Sequence, residues 1–144
     1  MSYASEALID RTALARLRSE VNGELPRLAG YFREDAVKSI AAVEEAMRAR
    51  DAAAMVRPAH TLKGEAWQFG CMRLGRLAEH VEKSARRALE DRDFPDILQD
   101  VVRLRPVFAE TVAALEQEIA ATRPVVRATG GFGRKVAPAA FGRA

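Results

Sequence analysis

Apolar residues recur every three or four positions along most of the chain, and this spacing limits the fold more than any other feature of the sequence. It is the repeat of helices that bury one face, and the alternating pattern of strands is almost absent. The sequence therefore predicts an all-α fold. Five helices are expected, with approximate bounds of 10–20, 24–50, 51–69, 72–90 and, from a start near Asp93 or Pro95, as far as Thr122.

Four long amphipathic helices joined by short turns are expected to pack as an antiparallel four-helix bundle, with the short N-terminal helix capping one end. Pro58 lies inside the third predicted helix and should kink it or restart it just before His60. The inward face of the fourth predicted helix consists of Leu74, Leu77, Val81, Ala85 and Leu89. We assign the bundle to residues 1–122.

The remaining residues, 123–144, form a separate basic segment. They contain five of the 23 basic residues and no acidic one, so residues 1–122 carry 18 basic against 20 acidic residues. A tail of this thin charge density, punctuated by glycine and proline, is expected to be disordered. We expect neither a nucleic-acid partner nor a membrane, since no apolar run approaches the roughly 20 residues of a span. The single cysteine, Cys71, excludes an intrachain disulfide and favours a reducing cytoplasmic location.

The third predicted helix carries the clearest candidate for chemistry. Its inward stripe consists of Met55, Ala59, Leu62, Ala66 and Phe69, which leaves His60, Lys63, Gly64 and Trp67 on the other face. An exposed neutral imidazole is a competent nucleophile near pH 7. A lysine one turn away would offset the charge of phosphoryl oxygens, and a glycine beside it would leave room for a partner protein.

The segment His60-Thr61-Leu62-Lys63-Gly64, followed by Gly70, resembles the signature of histidine-containing phosphotransfer (Hpt) domains. The resemblance extends over the helix order from Asp10 to about Thr122. It implies that His60 relays a phosphoryl group between the aspartates of receiver domains in a multistep two-component phosphorelay. The partners implied are response-regulator receiver domains and a hybrid or other histidine kinase, and the chain is expected to act as a monomer.

The resemblance also implies the roles of several side chains. His60 matches the phosphorylated residue, and Glu82, 22 positions later on the facing helix, matches the polar residue that hydrogen-bonds the inner imidazole nitrogen. Glu79 is expected to share that network, while Arg86 would pair with Glu82 or meet the acidic pocket of a receiver. Together with Lys83, they are the candidate docking residues on the fourth predicted helix.

Trp67 departs from the family pattern, which more often has a small residue at this place. Two interpretations are open from the sequence. The indole folds over the groove between helices and is partly buried, or it forms part of the receiver-docking patch and narrows the choice of partner.

Two other classes of function compete with the relay. A pure interaction module would bind a receiver or kinase without phosphorylation of His60, although it would not need Lys63 and Glu82 around the ring. A metal-binding bundle would use His60, Cys71 and His80, but their spacing matches no common zinc pattern. We expect no metal or cofactor in this chain, and Mg²⁺ on the partner receiver. No glycine-rich phosphate loop is present, so the chain is predicted to be a carrier and not a kinase.

Overall fold

Five α-helices make up most of residues 2–91 and 97–121, which are the parts of the chain that the computed structural model describes. They are α1 (Arg11–Val21), α2 (Leu25–Arg48), α3 (Ala52–Gln68), α4 (Met72–Asp91) and α5 (Leu98–Ala121). Single 3-10 turns at Tyr3–Ser5 and Asn22–Glu24 precede α1 and α2. The prediction of an all-α fold is confirmed.

Two aspartates begin helices in the way that their sequence positions predict. The carboxylate of Asp10 accepts hydrogen bonds from the backbone N–H groups of Thr12 and Ala13 at 3.0 and 3.1 Å. Asp51 caps α3 in the same way, with its carboxylate 3.0 Å from the backbone nitrogen of Ala54. Each side chain satisfies N–H groups that have no partner within the first turn of the helix.

Helices α2 to α5 pack side by side as a bundle. Ion pairs link early α2 to late α5, through Arg33 and Glu116, and late α2 to early α5, through Glu44 and Arg105 at 2.7 Å. This order of contacts shows that α2 and α5 are antiparallel. Phe32 and Phe69 stack with ring centroids 5.0 Å apart in the core, so the end of α3 lies beside the first half of α2.

The turn between α3 and α4 is held by the segment that precedes α1. Gly70 has a φ of +76°, which non-glycine residues rarely adopt. Its carbonyl accepts a hydrogen bond of 2.7 Å from the N–H of Asp10, and the N–H of Met72 donates to the carbonyl of Leu8 at 3.2 Å. A Cβ atom on Gly70 would lie 2.7 Å from the carbonyl oxygen of Asp10. The close approach of two backbones and the positive φ therefore both require glycine here.

The core-facing residues of α3 and α4 follow the predicted stripes except near the end of α4. Leu89 is exposed, and Ala88 is buried in its place, so the prediction that Leu89 faces inward is wrong. Three successive steps of four residues from Leu77 would rotate the stripe by about 120° around the helix. The step of three from Ala85 to Ala88 returns the stripe to the buried face.

Helix α3 continues through Pro58 without a break, so of the two predicted outcomes the restart before His60 is wrong, and the kink stays a prediction. A proline removes one backbone N–H and crowds the carbonyl four residues earlier. Here Met55, one turn before the proline, and Ala59, directly after it, are fully or almost fully buried, so both turns are packed against the core. Pro106 likewise lies inside α5.

Several expectations fall on parts of the chain outside the described residues. They are the start of the fifth helix near Asp93 or Pro95, its end at Thr122, and the disorder of residues 123–144. The division of the chain at residue 122 thus stays a prediction. None of the helices in residues 2–91 and 97–121 combines the length and apolar character that crossing a membrane requires.

Candidate functional site

His60 lies on the open side of α3, and its side chain is 60% exposed. Its helical neighbours Ala59 and Leu62 are buried, so the packing of α3 turns the imidazole outward. The Nδ1 atom lies 3.0 Å from Oε2 of Glu82 on α4. Among the described residues, the Nε2 atom has no hydrogen-bond partner. The prediction of an accessible His60 backed by Glu82 is confirmed in its geometry.

Glu82 is the buried centre of the site, with 4% of its surface exposed. Its Oε2 atom accepts from His60 and from Nε of Arg86 at 2.9 Å, and its Oε1 atom lies 2.9 Å from Nζ of Lys63. Burial alone would raise the pKa of Glu82, but contacts with Lys63, Arg86 and His60 outweigh it and lower the pKa to about 2. The carboxylate is therefore ionised at neutral pH.

The ionised carboxylate determines which ring nitrogen of His60 carries the hydrogen. A carboxylate can only accept hydrogen bonds, so Nδ1 of the neutral imidazole must be the donor. The lone pair then resides on Nε2, the nitrogen that faces away from Glu82. A histidine held in this way by a carboxylate has a fixed ring orientation and a fixed tautomer, as in other sites that use the pair.

The side chain of Lys63 reaches from α3 to α4 and does not extend freely into solvent. Its side chain is 19% exposed, and its Nζ atom contacts Oε1 of Glu82. The ammonium also lies 5.7 Å from the centroid of the Trp67 ring. The sequence places Lys63 on the same helix face as His60. The structure adds that its ammonium group forms an ion pair with the buried carboxylate of Glu82.

Gly64 leaves a gap in the surface beside His60. It is exposed, and a Cβ atom built on it would meet no other atom within 4 Å. Glycine is therefore not required here by packing inside the domain. The open space lies outside the molecule, where an approaching partner would need it.

Trp67 packs across the groove between α3 and α4, as the first of its two interpretations predicts. Its indole is partly buried and lies against Gly75 of α4, where an added Cβ would be 2.1 Å from the indole Cδ1 and Nε1 atoms. The sequence analysis missed Gly75. A glycine inside an otherwise regular helix pattern often has a packing reason, and this is the signal that could have found it. The docking role of Trp67 stays a prediction.

Glu79 does not join the network around His60, so that expectation is wrong. Its carboxylate contacts Arg76 at 2.6 Å and Lys83 at 3.7 Å along the outer side of α4. Arg76 in turn reaches Glu6 of the N-terminal segment at 3.1 Å, which places Glu79 in a separate surface cluster. Arg86 does pair with Glu82, and its side chain is 56% exposed beside the histidine.

A metal-binding arrangement is not formed in the parts of the chain that the structure describes. No group of three or more His, Cys, Asp or Glu side chains there is placed to hold a metal ion. Cys71 is fully buried, and this burial raises the pKa of its thiol to about 12. A thiol of this kind is a poor ligand, because metals bind the thiolate.

Comparison with known proteins identifies the family to which this geometry belongs. A family model described as the Hpt domain matches residues 27–123. The chain belongs to the Hpt domain family. The Hpt match contains α3, α4 and every residue of the site from His60 to Arg86.

A solved structure of another Hpt protein has the same fold. It is the crystal structure of histidine-containing phosphotransfer protein B (HptB) from Pseudomonas aeruginosa PAO1, 27% identical in sequence, with a TM-score of 0.71. The match covers 83% of this chain and 100% of that chain. No curated protein sequence matches the chain at a significant level. As an Hpt domain, this protein functions in histidine phosphotransfer within two-component phosphorelays, as a phosphocarrier and not as a kinase, with receiver domains and histidine kinases as its class of partners.

Proposed function

We propose that Nε2 of His60 accepts a phosphoryl group from the aspartyl phosphate of one receiver domain and delivers it to the aspartate of another. The observation that carries the proposal is the 3.0 Å hydrogen bond between Nδ1 of His60 and the carboxylate of Glu82. This bond places the lone pair on Nε2, and the 60% exposure of the side chain makes that nitrogen accessible.

The transfer step needs little from this chain beyond an oriented nucleophile. The Nε2 lone pair forms a bond to phosphorus while the bond between phosphorus and the aspartyl oxygen breaks, and the aspartate leaves as a carboxylate. The imidazole ring gains positive charge and keeps its hydrogen on Nδ1. Glu82 stabilises that charge because it is buried and ionised. Delivery to a second receiver reverses the same steps.

The remaining parts of the proposal concern partners and setting. We propose that the chain acts as a cytoplasmic monomer without an ATP-binding site or a cofactor of its own, and that Mg²⁺ is held by the receiver. A receiver would dock over α3 and α4 around His60, with Trp67, Glu79, Lys83 and Arg86 at the contact. The exposed cation of Arg86 beside His60 supports this placement, because receiver phosphorylation sites are acidic.

A direct transfer assay tests the function. Receiver domains from the host are phosphorylated on their aspartate, freed of donor and mixed with the purified protein. Phosphate should move to the protein, be labile to acid and map to His60 by mass spectrometry. A protein that binds a receiver tightly without ever gaining phosphate would be an interaction module, and this result would overturn the proposal.

Enlarging Gly64 should slow transfer by obstruction and not by unfolding. Gly64→Leu is expected to reduce the transfer rate about 10- to 100-fold. The leucine side chain would hold the receiver away from His60, and displacement of the reacting atoms by about 1 Å has effects of this size. The melting temperature should not fall, since the added Cβ meets no atom of the domain and leucine favours a helix. Gly64→Ala is the matched control and should stay close to the wild-type rate. Equal rates for the leucine variant and the wild type would show that receivers do not approach this surface.

A further inference from the structure

The only tryptophan of the chain sits where a glycine makes room for it. The indole of Trp67 on α3 lies so close to Gly75 on α4 that a Cβ atom there would be 2.1 Å from two of its atoms. Real Cβ atoms do not come this near to other heavy atoms, so any larger residue at position 75 must displace the indole. Trp67 and Gly75 are therefore a matched pair.

Packing against Gly75, and not a hydrogen bond, fixes the position of the indole. Its Nε1 atom is buried and has no hydrogen-bond acceptor in the part of the chain that the structure describes. Buried indole N–H groups usually find an acceptor. The fit between a flat ring and a helix without a side chain is thus what holds Trp67 in place.

The indole of Trp67 in turn packs beside the ammonium group of Lys63. The ammonium lies 5.7 Å from the ring centroid of Trp67, within the range of cation–π attraction, and 2.9 Å from Oε1 of Glu82. A lysine has a long, flexible stem, so one ion pair at its tip does not fix the path of that stem. The ring adds a second attraction and leaves the side chain only 19% exposed.

The two oxygens of Glu82 have different partners, and this difference makes Lys63 important. Oε1 meets Lys63, whereas Oε2 is shared by His60 and Arg86. In the described part of the chain Oε1 has no partner with hydrogen-bond geometry, so the ion pair with the ammonium at 2.9 Å is what opposes rotation of the carboxylate and favours Oε2 at Nδ1 of the imidazole. If Lys63 leaves, the carboxylate can turn toward Arg86 alone and the ring loses its orientation.

We propose that Trp67, seated on Gly75, is a positioning residue that holds Lys63 on Oε1 of Glu82 and so keeps His60 in its reactive orientation. This inference rests on the proposed function of His60. It differs from a docking role, since positioning acts in the free protein before any receiver arrives.

Gly75→Ala tests the proposal without altering Trp67, Lys63, Glu82 or His60. The added methyl should displace the indole, release Lys63 and slow phosphoryl transfer about 2- to 10-fold with every receiver, as expected for loss of a cation–π contact. Gly30→Ala on α2 is the matched control, because a Cβ there meets nothing within 4 Å. Alanine favours a helix at both positions, but at position 75 it also displaces a partly buried indole, so the melting temperatures of both variants are measured and transfer is compared on folded protein.

The free protein supplies a readout that a purely structural role would not move. The ¹⁵N shifts of the His60 ring report which nitrogen carries the hydrogen, and Gly75→Ala should lower the share of the Nδ1–H form while Gly30→Ala leaves it unchanged. Trp67→Leu should lower the share of the Nδ1–H form in the same way. Trp67→Phe should lower it less, because a ring face remains beside Lys63. In the Trp67→Leu background, Gly75→Ala should add nothing further.

The possible results distinguish a failure of the positioning role of Trp67 from a failure of the proposed function of His60. Transfer at wild-type rates and an unchanged ring signature in Gly75→Ala and Trp67→Leu would overturn the positioning role. Slower transfer to a single receiver with an unchanged ring signature would overturn it as well and make Trp67 a docking residue. If the wild-type protein accepts no phosphate, the proposed function fails, while the ring signature still decides whether Trp67 orients His60.

Discussion

Replacing His60 with glutamine is expected to abolish phosphate acceptance and leave the bundle folded. A glutamine amide nitrogen has no lone pair available to attack phosphorus. The side chain of His60 is 60% exposed, so the core loses almost nothing when the ring is removed. Transfer from a phosphorylated receiver should fall to background, while circular dichroism and the melting temperature stay close to those of the wild type.

The second histidine of the chain is the matched control for this experiment. His80 is on α4 and is followed by Lys83 at the spacing of Lys63 after His60, but Ser84 replaces the glycine and, among the described residues, no carboxylate is hydrogen-bonded to its ring. His80→Gln should therefore accept phosphate at the wild-type level. If His60→Gln were still labelled, or if His80→Gln lost its label instead, the assignment of the phosphorylated residue would be wrong.

Removing the charge of Glu82 is expected to have the second largest effect. Glu82→Gln keeps the size of the side chain but loses the carboxylate that orients His60, and transfer should slow about 10- to 100-fold, the usual effect of removing a partner behind a functional histidine. The exposed side chains of Arg86 and, to a lesser extent, Lys63 can turn toward water, so the bundle should still fold. Transfer kinetics and the ¹⁵N shifts of the His60 ring measure the loss.

The same carboxylate predicts how stability depends on pH. In the folded protein the pKa of Glu82 is about 2, below its ordinary value of 4.5. A depressed pKa contributes stability that is complete above pH 4.5 and is lost as the pH falls through the folded value. The contribution reaches up to about 3 kcal/mol, since one pKa unit corresponds to about 1.4 kcal/mol.

Denaturant unfolding of the wild type and of Glu82→Gln measures this contribution. The difference in their free energies of unfolding should be largest at pH 6 to 7 and shrink between about pH 4.5 and pH 2. Glu45→Gln on α2 is the control, because its side chain is 72% exposed and should behave like the wild type. Curves for the wild type and Glu82→Gln that stay parallel over this range would show that Glu82 is not stabilised by its three partners.

Much of the fold could be predicted because it depends on local patterns. The helix starts at Asp10 and Asp51 follow from the capping chemistry of short acidic side chains, and the turn at Gly70 follows from the freedom of glycine. The exposure of His60 follows from the buried stripe of α3. The pairing of His60 with Glu82, in contrast, came from the family resemblance, because a spacing along the chain does not say which residues of two helices meet.

What could not be predicted depends on contacts between helices. The helix face of Lys63 does not determine where its ammonium group lies, because four rotatable bonds separate the charge from the backbone. The contact of Trp67 with Gly75 requires the register of α3 against α4. The burial of Ala88 instead of Leu89 arises from a drift of the apolar stripe around α4, which is corrected by one shorter step.

The turn around Gly70 has a consequence beyond ending a helix. Because α3 and α4 run in opposite directions from it, residues that meet across the two helices lie at similar distances from the turn: His60 and Glu82 are each 11 positions from Cys71, and Trp67 and Gly75 are each four positions from it. A residue inserted into either helix between the turn and the site would rotate the site residues of that helix by about 100° against the other helix. The number of helical residues between the turn and each of these positions therefore determines whether the nucleophile His60, the carboxylate of Glu82 and the indole of Trp67 are aligned.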